Sequence, residues 1–253
     1  MITEICILPL SLSLRPFYLG SGGPQGAVFT QGYRMRTVVF DLDGTLADTS
    51  ADLLAAANAV FQRLGHGDML GPDDTLAAFH GGRAMLRLGF ARLGIEDRAR
   101  EDALYPVLLE AYAGNIATHT RMYPGAVDAV IALRSAGYAT AICTNKPEAL
   151  AVALIARLGV TGLFGALIGA DTLPQRKPDA APYLAAVARA GGDVARSMLL
   201  GDTETDRETG RAAGVPVALV TFGPEGQGVA RLEPEALLDH YDDLPGLAGR
   251  LLG

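Results

Sequence analysis

Hydrophobic and polar positions follow different rhythms in different parts of this chain. Thr37-Val38-Val39-Phe40 is a short continuous apolar run with β-branched residues, which predicts a strand buried on both faces. From Ser50 to about Thr120 the pattern is helical throughout. Asp52–Phe61 has helical periodicity, Gly81-Gly82 breaks it, and Arg83–Leu93 resumes it. Asp97–His119 predicts a long helix with Leu104, Leu108, Tyr112 and Ile116 on one face. After Pro124 helices and strands alternate. Helices are predicted over 125–135, 147–158, 179–190 and 204–213, and strands over 138–143, 166–168, 197–200 and 216–220, with one or two helical turns in the tail. Strands alternating with helices imply parallel pairing through right-handed crossovers. The expected architecture is an open, doubly wound parallel α/β sheet with an all-helical block inserted after its first strand.

Residues 1–34 fit neither rhythm. An apolar run over 5–14 is followed by Arg15-Pro16 and a Gly-rich stretch over 20–26. The run is too short to span a bilayer, and Glu4 stands where a signal peptide carries basic residues. The segment reads as an N-terminal extension outside the fold, with Met35 a natural start. The glycines over 20–26 do not match the spacing of a dinucleotide loop.

Composition narrows the function classes. The 253 residues are 49% hydrophobic and carry a net charge of −7, so a disordered chain and a polyanion-binding surface are both excluded. No nucleic-acid or membrane partner is expected. Two cysteines without a Cys-x-x-Cys, Cys6 and Cys143, point to a reducing, cytoplasmic setting. Of the 21 basic residues only Lys146 and Lys177 are lysines. Where arginine serves everywhere else, a lysine marks a place that a planar fork does not fit.

In an open α/β sheet the ligand lies beyond the carboxyl ends of the strands. Those ends carry Asp41 and Asp43, then Thr144, Asn145 and Lys146, then Asp202 and Asp206, with Lys177 just before the helix that leads into the 197–200 strand. Clustered carboxylates repel one another unless a cation intervenes. All-oxygen ligands with an incomplete protein shell suit Mg²⁺, which keeps waters and takes phosphate oxygens. Lys177 offers a compact charge for a phosphate and an ionised carboxylate together. Lys146 reads either as a site-edge residue or as a surface cation, and Cys143 as a small buried hydrophobe.

Asp41-Leu42-Asp43-Gly44-Thr45-Leu46-Ala47-Asp48-Thr49 resembles the first motif of the haloacid dehalogenase superfamily in its phosphatase form. Residues 143–147, Lys177-Pro178 and residues 201–206 resemble the second, third and fourth motifs, in the same order. The likeness implies a Rossmann-like catalytic core over 35–49 and 121–253 and a helical cap over 50–120, as in the phosphoglycolate phosphatase-like branch. It implies that Asp41 is a nucleophile forming an aspartyl-phosphate and Asp43 the general acid and base. Thr144, Asn145 and Lys177 are implied to hold the phosphoryl group. Mg²⁺ is implied to sit on Asp41, Asp202 and the main-chain carbonyl of Asp43, with Asp206 nearby. Arg83, after the Gly81-Gly82 break, is a candidate for pairing with a substrate carboxylate, as 2-phosphoglycolate requires.

The expected activity is therefore a Mg²⁺-dependent phosphatase acting on a small phosphorylated metabolite, 2-phosphoglycolate first, as a monomer or homodimer. A phosphosugar phosphatase or mutase, a pyrophosphatase and a nucleotidase stay open. The presence of Asp43 disfavours a dehalogenase. The absence of lysine over 50–120 excludes a phosphonatase that forms an imine on a cap lysine. A non-catalytic phosphate-binding module is opposed by the complete set of acidic and basic site residues.

Overall fold

The first buried strand, β1 (Met35–Phe40), lies at the centre of the molecule because every residue from Thr37 onward is enclosed. A computed structural model of the chain describes residues 35–253; the expected extension over 1–34 and Cys6 lie outside them. β1 is followed by β2 (Ala47–Asp48) and four helices, α1 (Ser50–Arg63), α2 (Thr75–Phe79), α3 (Gly82–Arg92) and α4 (Arg98–Gly114). The chain returns through β3 (Arg121–Met122), which pairs antiparallel with β2. It then alternates as α5 (Ala126–Ser135), β4 (Ala139–Cys143), α6 (Glu148–Arg157), β5 (Ala166–Ile168), α7 (Ala180–Arg189), β6 (Gly192–Gly201), α8 (Glu204–Ala213) and β7 (Val217–Val220). β8 (Ala236–Leu238) and α9 (Leu244–Leu252) complete it.

The six-stranded sheet has the order β5-β4-β1-β6-β7-β8, and all its pairs are parallel. Alternate residues of β1 enter different cores, as a strand with helices on both faces requires. Val38 and Phe40 pack with α5, α6 and α9; Val39 packs with Tyr183, Ala186 and Val187 of α7. The chain leaves β1 for β4 on one side and lies beside β6 on the other. This makes the carboxyl end of β1 the switch point where a ligand crevice opens.

The α1–α4 block is tied to the core by a buried carboxylate. Asp52, 2% exposed near the start of α1, accepts hydrogen bonds from the main-chain N–H groups of His119 and Thr120 and from the Thr120 hydroxyl, at 2.7–3.1 Å. One side chain thus joins the exit and the return of the insertion.

The elements depart from the expected pattern in several places, among them β6, which begins at Gly192 and not at Ser197. The helix predicted to His119 ends at Gly114, because the backbone turns at Asn115 to bring His119 and Thr120 to Asp52. The β2–β3 ribbon is too short for a periodic signal. The tail contains a sixth strand, β8, which takes its order from its pairing with β7.

Candidate active site

Four strand ends and one loop converge at the switch point. The first strand carries its ladder one residue past its end, with Asp41 N–H donating to Leu200 O at 2.8 Å. This holds the Asp41 side chain at the rim of the sheet. Gly44 then turns the chain with φ +81°, and a Cβ there would stand 2.3 Å from Asp202 Oδ2. Only glycine allows both the turn and the approach of Asp202. Thr45 donates its hydroxyl to Asp202 Oδ1 at 2.8 Å, and Tyr241 OH holds Thr45 O at 2.7 Å. At the second loop Thr144 N–H donates to Ile168 O, and the Thr144 hydroxyl accepts from Lys146 N–H at 3.1 Å.

The carboxylates have distinct settings. Asp206 is fully buried and fully engaged. Its Oδ1 accepts from Lys177 Nζ at 2.6 Å, and its Oδ2 accepts from Asp202 N, Thr203 N and Thr203 Oγ1 at 2.9–3.2 Å. It is at once the N-terminal anchor of α8 and the seat of Lys177. Asp43 accepts from Thr49 Oγ1 at 2.6 Å and from Lys146 Nζ at 2.7 and 3.0 Å. Asp41 Oδ1 lies 3.0 Å from Lys177 Nζ, out of line for a hydrogen bond. Asp202 Oδ2 is buried and has no partner.

Burial raises the Asp41 carboxyl to about 6; Lys177 opposes the rise, while Asp206 and Asp43 add to it. Burial, with Asp206 and Asp41 nearby, pushes Asp202 well above the usual carboxylate range. Burial works against the Lys177 ammonium, but Asp206 and Asp41 outweigh it and keep the group charged. The Cys143 thiol is pushed up to about 12 by burial, as fits an inert core side chain.

Carboxylate oxygens of Asp41, Asp202 and Asp206 all lie within 4.8 Å of one another. A buried anionic oxygen with no donor is costly, and a hard divalent cation is the partner that oxygen donors in this number suit. The residues therefore fit Mg²⁺.

A cavity of about 400 Å³ opens over this cluster. Its charged lining side chains, Asp41, Asp43, Lys146 and Lys177, all come from the core. The α1–α4 block supplies the opposite wall, which includes Leu53, Phe79, His80, Tyr105, Leu108 and Tyr112 and no Asp, Glu, Lys or Arg. Asn145 lines the cavity and donates to Lys177 O at 3.0 Å. The structure does not bring Arg83 to this lining. Its guanidinium donates to Asp102 at 2.5 Å and lies 4.0 Å from the centre of the Tyr105 ring, partly in solvent.

The signature for haloacid dehalogenase-like hydrolases matches residues 38–220. The phosphoglycolate phosphatase of Mesorhizobium japonicum is 42% identical over 222 residues, covering 85% of this chain and 96% of that protein. The phosphoglycolate phosphatase of Agrobacterium fabrum is 39% identical over 216 residues, with 85% and 93% covered. The chain belongs to the haloacid dehalogenase-like hydrolases. A solved hydrolase from Pseudomonas syringae shares the family fold at a TM-score of 0.68 and 20% identity, covering 86% of this chain and 99% of its own. A second solved structure, "a predicted phosphoglycolate phosphatase" from Haemophilus somnus, superposes at 0.72 with 22% identity, over 87% of this chain and 99% of that one.

Some contacts within this family site are invisible to motif reading. Lys146 is 7% exposed and ion-paired with Asp43, and its Nζ lies 4.5 Å from the centre of the Tyr112 ring. It is a site residue rather than a surface cation. Thr45 and Thr49 sit inside the first motif, but their partners appear only when the loop is folded. The one advance signal for Tyr112 was a hydroxyl in an otherwise aliphatic helix stripe. No helix among the described residues is long and apolar enough to cross a membrane.

Proposed function

We propose that this chain is a Mg²⁺-dependent phosphatase of small phosphate monoesters, with 2-phosphoglycolate the leading substrate, working through an aspartyl-phosphate. The observation that carries the reading is the pairing of Asp41 and Lys177 at the cavity floor beside the partnerless Asp202 oxygen. The substrate assignment draws on the relatives named above, which share up to 42% identity nearly end to end.

Asp41 and Asp202 would hold the ion together with the main-chain carbonyl of Asp43. Asp206, whose carboxylate belongs to the same cluster, would lie beside the ion and also holds Lys177 and the start of α8. The ion's contribution when bound is to neutralise charge between an anionic nucleophile and an anionic phosphate. The rest is done by the chain. Asp41 attacks phosphorus, and Lys177, fixed by Asp206, holds Asp41 and the transferring oxygens in place. Thr144 and Asn145 border the phosphate at the second strand end. Asp43 gives a proton to the leaving alcohol and then takes one from the attacking water. Thr49 and Lys146 set the orientation of its carboxylate.

A phosphate-release screen over 2-phosphoglycolate, sugar phosphates, nucleotides and pyrophosphate, with and without Mg²⁺, tests the reading. Mg²⁺-dependent release, fastest with 2-phosphoglycolate, is the expected result. Release without preference for it rejects the substrate assignment, and no release from any ester rejects the phosphatase reading.

A further inference from the structure

A substrate with a carboxylate on its leaving group needs a cation at the end of the cavity away from the phosphate. Arg83 is turned to Asp102 and does not line the cavity. The wall from the α1–α4 block carries no Asp, Glu, Lys or Arg, and its one imidazole is His80. Lys177 is committed to Asp206 and Asp41. Lys146 is the remaining lysine in the lining, and it stands where core and wall meet, between Asp43 and the Tyr112 ring.

Tyr112 makes the second observation. It is 1% exposed and lines the cavity, and its hydroxyl lies near Lys146 without a well-formed hydrogen bond. A buried hydroxyl normally finds one, because leaving it unpaired costs about 1–3 kcal/mol. Burial pushes this phenol up to about 12, so it keeps its proton and can donate. An ammonium has three N–H donors, so Lys146 can keep Asp43 and still reach a second carboxylate, just as Lys177 hydrogen-bonds Asp206 while ion-paired with Asp41.

We propose that Lys146 and the Tyr112 hydroxyl form the subsite for an anionic group, a carboxylate, on the leaving-group end of the substrate. The pair then determines specificity: Lys146 reaches the carboxylate from the core and Tyr112 from the opposite wall. This rests on the phosphatase reading and extends it to the part of the substrate that does not react.

The test compares 2-phosphoglycolate with 2-hydroxyethyl phosphate, an ester of similar size with a neutral end, in wild-type protein, Tyr112→Phe and Lys146→Gln. Wild-type protein is expected to favour 2-phosphoglycolate in kcat/KM. Tyr112→Phe, which keeps the ring, should cut that preference by about tenfold, the value of a hydrogen bond to a charged group. Lys146→Gln should bring the preference close to unity, whatever it does to both rates through Asp43. Equal losses for the two esters in both variants would overturn the proposal, because Lys146 would then act through Asp43 alone. So would a wild-type protein that releases phosphate from both esters without preference, and that result leaves the phosphatase reading standing. Calorimetric titration of the two esters into Asp41→Asn protein reads the same preference without turnover. Equal affinities there would also count against the subsite, and should Lys146→Gln fail to fold, Tyr112→Phe in that background decides the matter.

Discussion

The floor and the wall of the cavity are built on opposite principles. The floor gathers Asp41, Asp43, Asp202, Asp206, Lys146 and Lys177 at the ends of parallel strands, where backbone ladders hold each loop. The wall is hung on four helices and meets the floor with aliphatic and aromatic side chains. Charges so closely packed must be held rigidly, and strand ends pinned by a continuous ladder do this better than an insertion joined to the core by two short connections. A wall without Asp, Glu, Lys or Arg adds no carboxylate, lysine or arginine to compete with the ion pairs of the floor. On the proposed reading chemistry rests on the floor, while selection is shared between Lys146 of the floor and Tyr112 of the wall.

The largest effect should come from the floor. Asp41→Asn keeps the shape of the side chain and removes the nucleophile, and phosphate release should fall at least about a thousandfold. A variant retaining a tenth of wild-type activity in a phosphate assay would break the assignment. Gly44→Ala comes next. It combines a positive φ with a Cβ placed 2.3 Å from Asp202 Oδ2, and should lower stability by about 1–3 kcal/mol while weakening Mg²⁺ binding. Thermal unfolding and a Mg²⁺ titration check the two effects, and wild-type values in both would show that the loop relaxes freely.

Asp202→Asn separates stability from function. Without a cation the wild-type carboxylate is buried beside Asp206 and Asp41 and its ionised form is disfavoured. The variant should lose Mg²⁺-dependent activity yet unfold at higher temperature than metal-free wild type. The same crowding sets a pH dependence. Asp41 rises from 3.8 to about 6 on folding, so the folded metal-free protein holds a proton that the unfolded chain has released. Stability should therefore be highest at the acid end of this window and fall as pH rises from about 4 to about 6. Saturating Mg²⁺ should flatten that fall, and urea unfolding across the window with and without the ion would show it. The smallest effect is expected beyond the wall. Arg83→Gln removes a half-exposed pair with Asp102 and should change stability by less than about 1 kcal/mol and leave kcat/KM nearly unchanged. A tenfold rise in KM for 2-phosphoglycolate would return Arg83 to the site and shift selection away from Lys146 and Tyr112.

Much of the floor is legible in the chain because its pieces are local. Each strand is a short apolar run, and each reactive group lies within a few residues of a strand end or just before a helix. The order of elements then brings the groups to one edge, since parallel strands with helical crossovers place all their carboxyl ends together. Lys177 illustrates this: its scarcity and its place before α7 mark it before any coordinate is known.

The wall, and the contacts that join one loop to another, resist such reading. Lys146 meets Asp43 across 103 positions of sequence, and Arg83 finds Asp102 on a neighbouring helix rather than the cavity. Helical periodicity says that Tyr112 faces inward, but not that its hydroxyl reaches a cavity without a partner.

The sequence by itself determined the doubly wound sheet, the helical insertion and the set of polar groups that gather at the strand ends. These follow from local periodicity and from the geometry common to all parallel crossovers. Only the tertiary structure decided which lysine serves which aspartate, that both oxygens of Asp206 are taken while one of Asp202 is left without a partner, and that Arg83 turns away. Those outcomes depend on distances between segments far apart in the chain, where packing and desolvation, not local pattern, select the partner.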